Sequence, residues 1–144
     1  MSIVVFDTSA ILAMLRPEEG GEVVRGLLTS ALSTVNGERA VIRVPFMALM
    51  ETQYLLMRER SSLDVAYFLG LIEQWPAEVI ESTPQWRDEA ARVKASGGLS
   101  LADAWIAALA LIEDAELVHK DPEYDRVPGL KALRLPYRRT GRRA

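Results

Sequence analysis

The chain has 144 residues, of which 49% are apolar and 26% are charged, and it contains no cysteine. These values predict one globular domain with a core of its own, and the lack of cysteine excludes disulfide bridges and thiolate metal sites. No run approaches the roughly 20 apolar residues of a membrane span, and the first residues do not resemble a signal peptide, so we expect a cytoplasmic protein.

The net charge of −3 is unevenly distributed. The last seven residues hold four of the 17 basic residues and no acid, so residues 1–137, with 13 basic and 20 acidic residues, carry a net charge of −7. We therefore divide the chain into a domain at 1–137 and a basic tail at 138–144. A short tail of this composition is typically solvated, and contact with nucleic acid or with a partner is the alternative.

In the first half of the chain, short β-branched runs predict strands, and longer amphipathic or apolar stretches predict helices. In chain order, the predicted elements are a strand at 2–6, helices at 10–15 and 21–33, a turn at 36–37, a strand at 40–44 and a helix at 46–59. Thr8 and Ser9 can cap the first helix, and Pro45 suits the first position of the third.

The second half continues the same alternation. Its predicted elements are a helix at 62–75, a strand at 78–81, helices at 84–96 and 101–112, a strand at 115–119, a turn at 121–122 and a strand at 131–135. The pattern predicts an α/β fold, with a mainly parallel central sheet of about five strands flanked by helices. In such sheets, functional sites form beyond the carboxyl ends of the strands.

Four acidic residues stand alone in apolar surroundings. Asp7 and Asp121 follow the first and fourth predicted strands, while Glu51 and Asp103 lie in apolar helices. Taken singly, each can be a helix cap or a surface residue. If the four converge, each pair at about 5 Å repels by roughly 3 kcal/mol at an effective dielectric constant near 20. A bound cation or protonation must then compensate the cluster.

Oxygen ligands suit Mg²⁺, with Mn²⁺ as a substitute, better than zinc, for which the chain offers one histidine and no cysteine. Metals held by carboxylates activate water and neutralise charge at a phosphodiester, which points to a nuclease or a phosphatase. A phosphatase with Asp7 as covalent nucleophile typically has two acids flanking one residue, whereas this chain has Asp7-Thr8-Ser9. A receiver-like signalling domain and a non-catalytic binding module of the same fold are further alternatives.

The segments around the four acids resemble the acidic motifs of PIN domains, and more closely those of the VapC toxins of toxin–antitoxin systems. The resemblance spans nearly the whole chain and is carried by residues 5–10, 50–52, 99–108, 117–124 and 126–130. It implies that the catalytic and metal-binding residues are Asp7, Glu51, Asp103 and Asp121. It also implies auxiliary roles for Thr8 or Ser9, and for Glu123.

The resemblance further implies Mg²⁺-dependent cleavage of RNA by a metal-activated water and inhibition by a small cognate antitoxin. The apolar helices around Glu51 and at 63–72 exceed what one small core needs, so we expect a homodimer face or an antitoxin groove there. One residue departs from the family pattern: His119 stands where Thr or Ser is usual, two residues before the last acid. A lone histidine near a strand end is more often structural, so it is not counted among the ligands.

Overall fold

The computed structural model describes residues 2–33 and 37–136. The strands in these ranges are β1 Ser2–Phe6, β2 Ala40–Pro45, β3 Glu78–Ile80, β4 Glu116–His119 and β5 Lys131–Arg134. The helices are α1 Thr8–Leu15, α2 Gly21–Leu32, α3 Phe46–Glu59, α4 Ser62–Glu73, α5 Pro84–Ala95 and α6 Leu101–Glu113, and a short 3-10 helix spans Pro122–Arg126. Residue 36 of the predicted turn and the basic tail at 138–144 lie outside the described residues.

The five strands form one parallel sheet in the order β3-β2-β1-β4-β5, which confirms the predicted α/β fold. β1 is central, and Val4, Val5 and Phe6 are almost fully buried, as expected for a strand covered on both faces. The chain first adds β2 and β3 on one side of β1 and then returns to add β4 on the other. This change of direction opens a crevice at the carboxyl ends of β1 and β4, where ligands of such sheets typically bind.

Two predicted helix starts were wrong in detail. Asp7, and not Thr8 or Ser9, is the N-cap of α1, because its carboxylate accepts a hydrogen bond from the backbone N–H of Ser9. Pro45 is the last residue of β2 and precedes α3 instead of occupying its first position. Its backbone is extended and in register with Ile80 of β3, so pairing with the sheet determines its conformation.

An aromatic cluster fixes the N-terminal part of α3 against α5 and α6. The rings of Phe46, Trp86 and Trp105 meet edge to face with centroids 5.1–5.3 Å apart, and the indole N–H of Trp86 donates to the carbonyl of Trp105 at 2.7 Å. Glu51 lies five residues after Phe46, and Asp103 lies two residues before Trp105. The cluster therefore sets the relative position of the two helices that carry these acids.

Within the described ranges, none of the helices is long and apolar enough to cross a lipid bilayer.

Candidate metal centre

The structure brings all four predicted acids to one open cavity of about 450 Å³ at the carboxyl edge of the sheet. Asp7 reaches it from the end of β1, Asp121 from just after β4, Glu51 from α3 and Asp103 from the first turn of α6. The two strand ends belong to adjacent parallel strands, and α3 contacts both α1 and α6. The predicted convergence of the acids therefore follows directly from the topology.

Asp7 is the most enclosed of the four, with 4% of its surface exposed. Its Oδ1 accepts a hydrogen bond from the hydroxyl of Tyr124 at 2.6 Å, and its Oδ2 accepts from the backbone N–H and the hydroxyl of Ser9 at 3.0 and 2.5 Å. The Ser9 hydroxyl in turn accepts from the backbone N–H of Lys120 at 3.0 Å. A carboxylate has about four lone-pair sites, so these three donors leave room for one further ligand.

Glu51 is fixed by the other hydroxyl of the same segment. Thr8, which is buried, donates its hydroxyl proton to Oε1 of Glu51 at 2.5 Å. Thr8 and Ser9 therefore each hold a different acid, and the start of α1 connects β1 to α3. Neighbouring hydroxyls in this role orient the carboxylates without adding charge to the cavity.

Asp103 faces the other acids instead of closing a capping box. Ser100 caps α6 as predicted, with its hydroxyl accepting from the backbone N–H of Asp103 at 3.2 Å. The side-chain Oδ1 of Asp103, however, accepts from the hydroxyl of Tyr124 at 3.0 Å. Its carboxylate is thus directed away from the helix end and towards Asp7, which bonds the same hydroxyl.

The environment of the cavity raises the pKa of Asp103 to about 7. Partial burial is the largest cause, followed by the negative charge of Asp7, with smaller effects from Asp121 and Glu51; the Tyr124 hydrogen bond acts in the opposite direction. All three other acids thus disfavour a charge on Asp103. This mutual repulsion is what the sequence predicted for a convergent cluster.

Asp121 continues the cluster towards the 3-10 helix. Its Oδ1 accepts from the backbone N–H of Glu123 at 2.9 Å and so caps this helix. Asp103, Asp121 and Glu123 can each present one carboxylate oxygen within 4.8 Å of the others. Asp7 and Asp121 are therefore caps, as the simpler interpretation held, and both also line the cavity.

His119, the departure from the family pattern, is fully buried and belongs to the support of the site. Its Nδ1 accepts from the backbone N–H of Asp121 at 3.0 Å, which assigns the proton of the neutral ring to Nε2. Burial lowers the pKa of His119 and keeps the ring neutral. His119 thus supplies a hydrogen-bond acceptor at a position where the resembling motifs usually have the hydroxyl of Thr or Ser.

Compensating positive charge is scarce around the cavity. Lys120 is the one cationic side chain among the described residues that line it, and its Nζ lies 3.1 Å from Oε1 of Glu18, outside the cluster. In the described part of the chain, no ion pair includes any of the four acids. A set of carboxylates and hydroxyls without cysteine or an available imidazole fits the oxygen preference of Mg²⁺ or Mn²⁺.

Tyr124 is the residue of this site that sequence reasoning missed. Only 2% of its surface is exposed, and its hydroxyl contacts both Asp7 and Asp103. Burial first, and then the two carboxylates, raise its pKa well above the usual value, so the phenol keeps its proton. An aromatic residue three positions after an acid looks like a core residue in the sequence, and only the folded structure shows where its hydroxyl lies.

Comparison with solved structures identifies several proteins of the same fold. VapBC2 from Rickettsia felis, bound to a DNA fragment from its promoter, has a TM-score of 0.75 and 16% identity, covering 93% of this chain and 99% of that chain. DNA-bound VapBC from Salmonella typhimurium has a TM-score of 0.69 and 18% identity, covering 93% and 98%. VapC20 from Mycobacterium tuberculosis, a sarcin-ricin loop cleaving toxin, has a TM-score of 0.61 and 17% identity, covering 79% and 86%.

At these identities the structural likeness establishes the fold. Comparison with the sequences of curated proteins gave no match. The family model of the PIN domain, in contrast, matches residues 4–130, which include all four acids and every strand except β5 and the first two residues of β1. The chain belongs to the PIN domain family.

Proposed function

We propose that this PIN domain is a Mg²⁺-dependent endoribonuclease and the toxin of a VapBC-type toxin–antitoxin module. The observation that carries the proposal is the convergence of four acids, without a paired cation in the described residues, on one cavity at the carboxyl edge of the sheet. The proposed catalytic and metal-binding residues are Asp7, Glu51, Asp103 and Asp121. Among the structural neighbours, VapC20 is a sarcin-ricin loop cleaving toxin, which supports RNA as the substrate class.

Hydrogen-bond donors of the protein orient the proposed metal ligands before a metal ion binds. When bound, Mg²⁺ supplies a water of lowered pKa and charge neutralisation at the scissile phosphate. Asp7 is held by three donors and Glu51 by one, so both carboxylates are oriented in advance. Asp103, whose pKa is about 7 in the metal-free protein, must release its proton to serve as a ligand. Mn²⁺ should substitute for Mg²⁺, because it also prefers oxygen ligands.

An acidic cavity repels RNA phosphates unless cations lie nearby. The basic tail at 138–144, which lies outside the described residues, contains four arginines that can contact phosphate. Deleting these seven residues should lower the slope of log affinity for RNA against log salt by roughly 2 to 3, as expected for about three phosphate contacts. An unchanged slope in the truncated protein assigns the tail no part in RNA binding.

Partner binding is proposed for the exposed surface of α3 and α4. The large apolar side chains exposed on these helices are Met50, Met57, Leu63, Tyr67 and Leu71. Exposed apolar side chains of this number on adjacent helices favour a protein interface. The Rickettsia felis and Salmonella typhimurium neighbours are VapBC structures, which supports a small antitoxin as partner. A homodimer and a cytoplasmic location are also part of the proposal.

Cleavage of a structured RNA by the purified chain tests the function. Wild type should cleave with Mg²⁺ and stop on addition of EDTA, and Asp121→Asn should lose the activity. Asp88→Asn is the matched control, because Asp88 is exposed on α5, away from the cavity, and should cleave like wild type. Hydrolysis of a phosphate monoester without RNA cleavage would instead support the phosphatase alternative, and binding of RNA without either reaction the non-catalytic module.

A further inference from the structure

We propose that Tyr124 is a positioning residue of the candidate metal centre, whose buried hydroxyl bonds both Asp7 and Asp103 and fixes where their carboxylates lie relative to each other. The inference rests on the proposed function, since it concerns the same four acids. It assigns a role to a side chain that lies in the core but bonds two proposed ligands.

The hydroxyl lies between carboxylates from two distant parts of the chain. It is 2.6 Å from Oδ1 of Asp7, at the end of β1, and 3.0 Å from Oδ1 of Asp103, in α6. A phenol has a single proton, so the shorter contact is the main hydrogen bond, and the longer one is its second branch. The two carboxylates are therefore brought close together by a neutral group.

The position of Tyr124 is itself fixed by the neighbouring acid. The 3-10 helix that carries Tyr124 begins at the Asp121 cap, and the backbone N–H of Tyr124 donates to the carbonyl of Asp121 at 3.3 Å. The Tyr124 ring meets the buried ring of His119 edge to face, with centroids 4.8 Å apart. His119 also binds the backbone N–H of Asp121, so movement of the tyrosine is coupled to three of the four acids.

A neutral hydroxyl suits this role better than a cationic side chain. Lysine or arginine at this place would neutralise the two carboxylates and exclude a metal ion. The phenol keeps its proton, offers a hydrogen bond and adds no positive charge. Among the described residues, no group donates a hydrogen bond to Oδ2 of Asp103, so this oxygen is available to a cation. Groups that orient ligands in this way typically change metal affinity by 10- to 100-fold.

The test compares Tyr124→Phe with wild type in Mn²⁺ binding, followed by electron paramagnetic resonance. The variant should bind Mn²⁺ about 10-fold more weakly. The Mg²⁺ concentration for half-maximal RNA cleavage should rise by a similar factor, while the rate at saturating Mg²⁺ changes by less than about 3-fold. Thr29→Val, which removes an exposed hydroxyl on α2, away from the cavity and from the proposed partner surface, is the control and should match wild type.

A purely structural role for Tyr124 predicts a lower melting temperature with unchanged Mn²⁺ affinity, and that result would overturn the proposal. If Tyr124→Phe fails to fold, the wild-type hydroxyl proton can be followed by NMR during Mg²⁺ titration. We expect this signal to shift as the metal binds, and an invariant signal also overturns the proposal.

Measurements of Mn²⁺ binding and RNA cleavage together distinguish a failure of the proposed function from a failure of the role of Tyr124. Wild type that binds Mn²⁺ but does not cleave RNA overturns the proposed function and leaves the affinity test of Tyr124 valid. Wild type that cleaves, together with a phenylalanine variant of equal Mn²⁺ affinity, overturns the role of Tyr124 alone. Wild type that does not bind Mn²⁺ overturns both.

Discussion

Two groups of acidic residues in this domain differ in whether a cationic side chain compensates their negative charge. Beside β2, the guanidinium of Arg43 lies between two glutamates: its Nε donates to Oε1 of Glu113 at 2.9 Å, and another of its nitrogens pairs with Glu78 across the β2–β3 register. At the carboxyl edge of β1 and β4, four acids are oriented by hydroxyls and backbone N–H groups, and no cation among the described residues pairs with them.

The difference agrees with the role proposed for each group. A carboxylate that serves stability is placed beside a cation, as Glu113 is, and contributes about 0.5 kcal/mol when partly exposed. A carboxylate reserved for a metal ion must stay free of protein cations, which leaves the metal-free protein with uncompensated repulsion. Burial is the largest cause of the raised pKa of Asp103, and the negative charges of Asp7, Asp121 and Glu51 raise it further.

The largest expected effect is on the rate of RNA cleavage, which should depend on the four acids of the cavity and not on the glutamates that pair with Arg43. Glu51→Gln removes one charge from the cavity but retains a carbonyl oxygen that can accept from Thr8, so the variant should fold normally. RNA cleavage in Mg²⁺ should fall by roughly 100-fold or more, corresponding to about 2.7 kcal/mol of transition-state stabilisation. Glu113→Gln, the same change in the Arg43 group, should cleave at the wild-type rate; equal losses in both variants would contradict the assignment.

The next effect concerns pH. The folded-state pKa of Asp103 is about 7, above the ordinary aspartate value of 3.8, so the folded metal-free protein binds more protons than the unfolded chain between these two pH values. Its stability should therefore increase as pH falls from 8 to 5, by about 1–2 kcal/mol after allowance for partial exposure of the group. Urea unfolding across this range measures the effect, and Asp103→Asn should flatten it. A wild-type stability that instead rises with pH would rule out a raised Asp103 pKa.

The smallest expected effect is on the stability that the ion pair of Arg43 and Glu113 contributes. Glu113→Gln removes one partner of Arg43 and should lower the free energy of unfolding by about 0.5 kcal/mol. High salt should reduce the difference from wild type, because it screens a partly exposed ion pair. Thermal unfolding at low and high salt checks both statements. A loss that exceeds about 2 kcal/mol, or one independent of salt, would show that this group is more than a surface ion pair.

Much of this architecture could be predicted from the sequence. The five strands follow from short β-branched runs such as residues 2–6, and the isolation of Asp7 and Asp103 in apolar stretches indicates groups that must be compensated. Parallel strands end at a common edge, so even the meeting of Asp7 and Asp121 follows from the pattern. The roles of these acids as metal ligands remain predictions.

Details that depend on tertiary contacts could not be predicted. Pro45 satisfies the local rule for a helix start, but pairing with β3 keeps it extended. Tyr124 has the sequence context of a core residue, and its hydroxyl acquires meaning only when Asp7 and Asp103 arrive from distant segments. His119 likewise gains its role from the backbone N–H of Asp121, a contact that only the folded chain shows.

The four acids are proposed to lack a protein cation because they hold a divalent metal ion. The most direct test is urea unfolding at pH 7.5. It compares wild type with Asp103→Asn, each with and without 10 mM Mg²⁺. Without Mg²⁺, the variant should be the more stable by about 1 kcal/mol, since it loses repulsion but keeps the Ser100 cap. With Mg²⁺, wild type should gain about 1.4 kcal/mol for a Kd near 1 mM and reach or pass the variant, which gains less. An unchanged wild-type stability in Mg²⁺, or a variant that is less stable than wild type in both conditions, would contradict the claim.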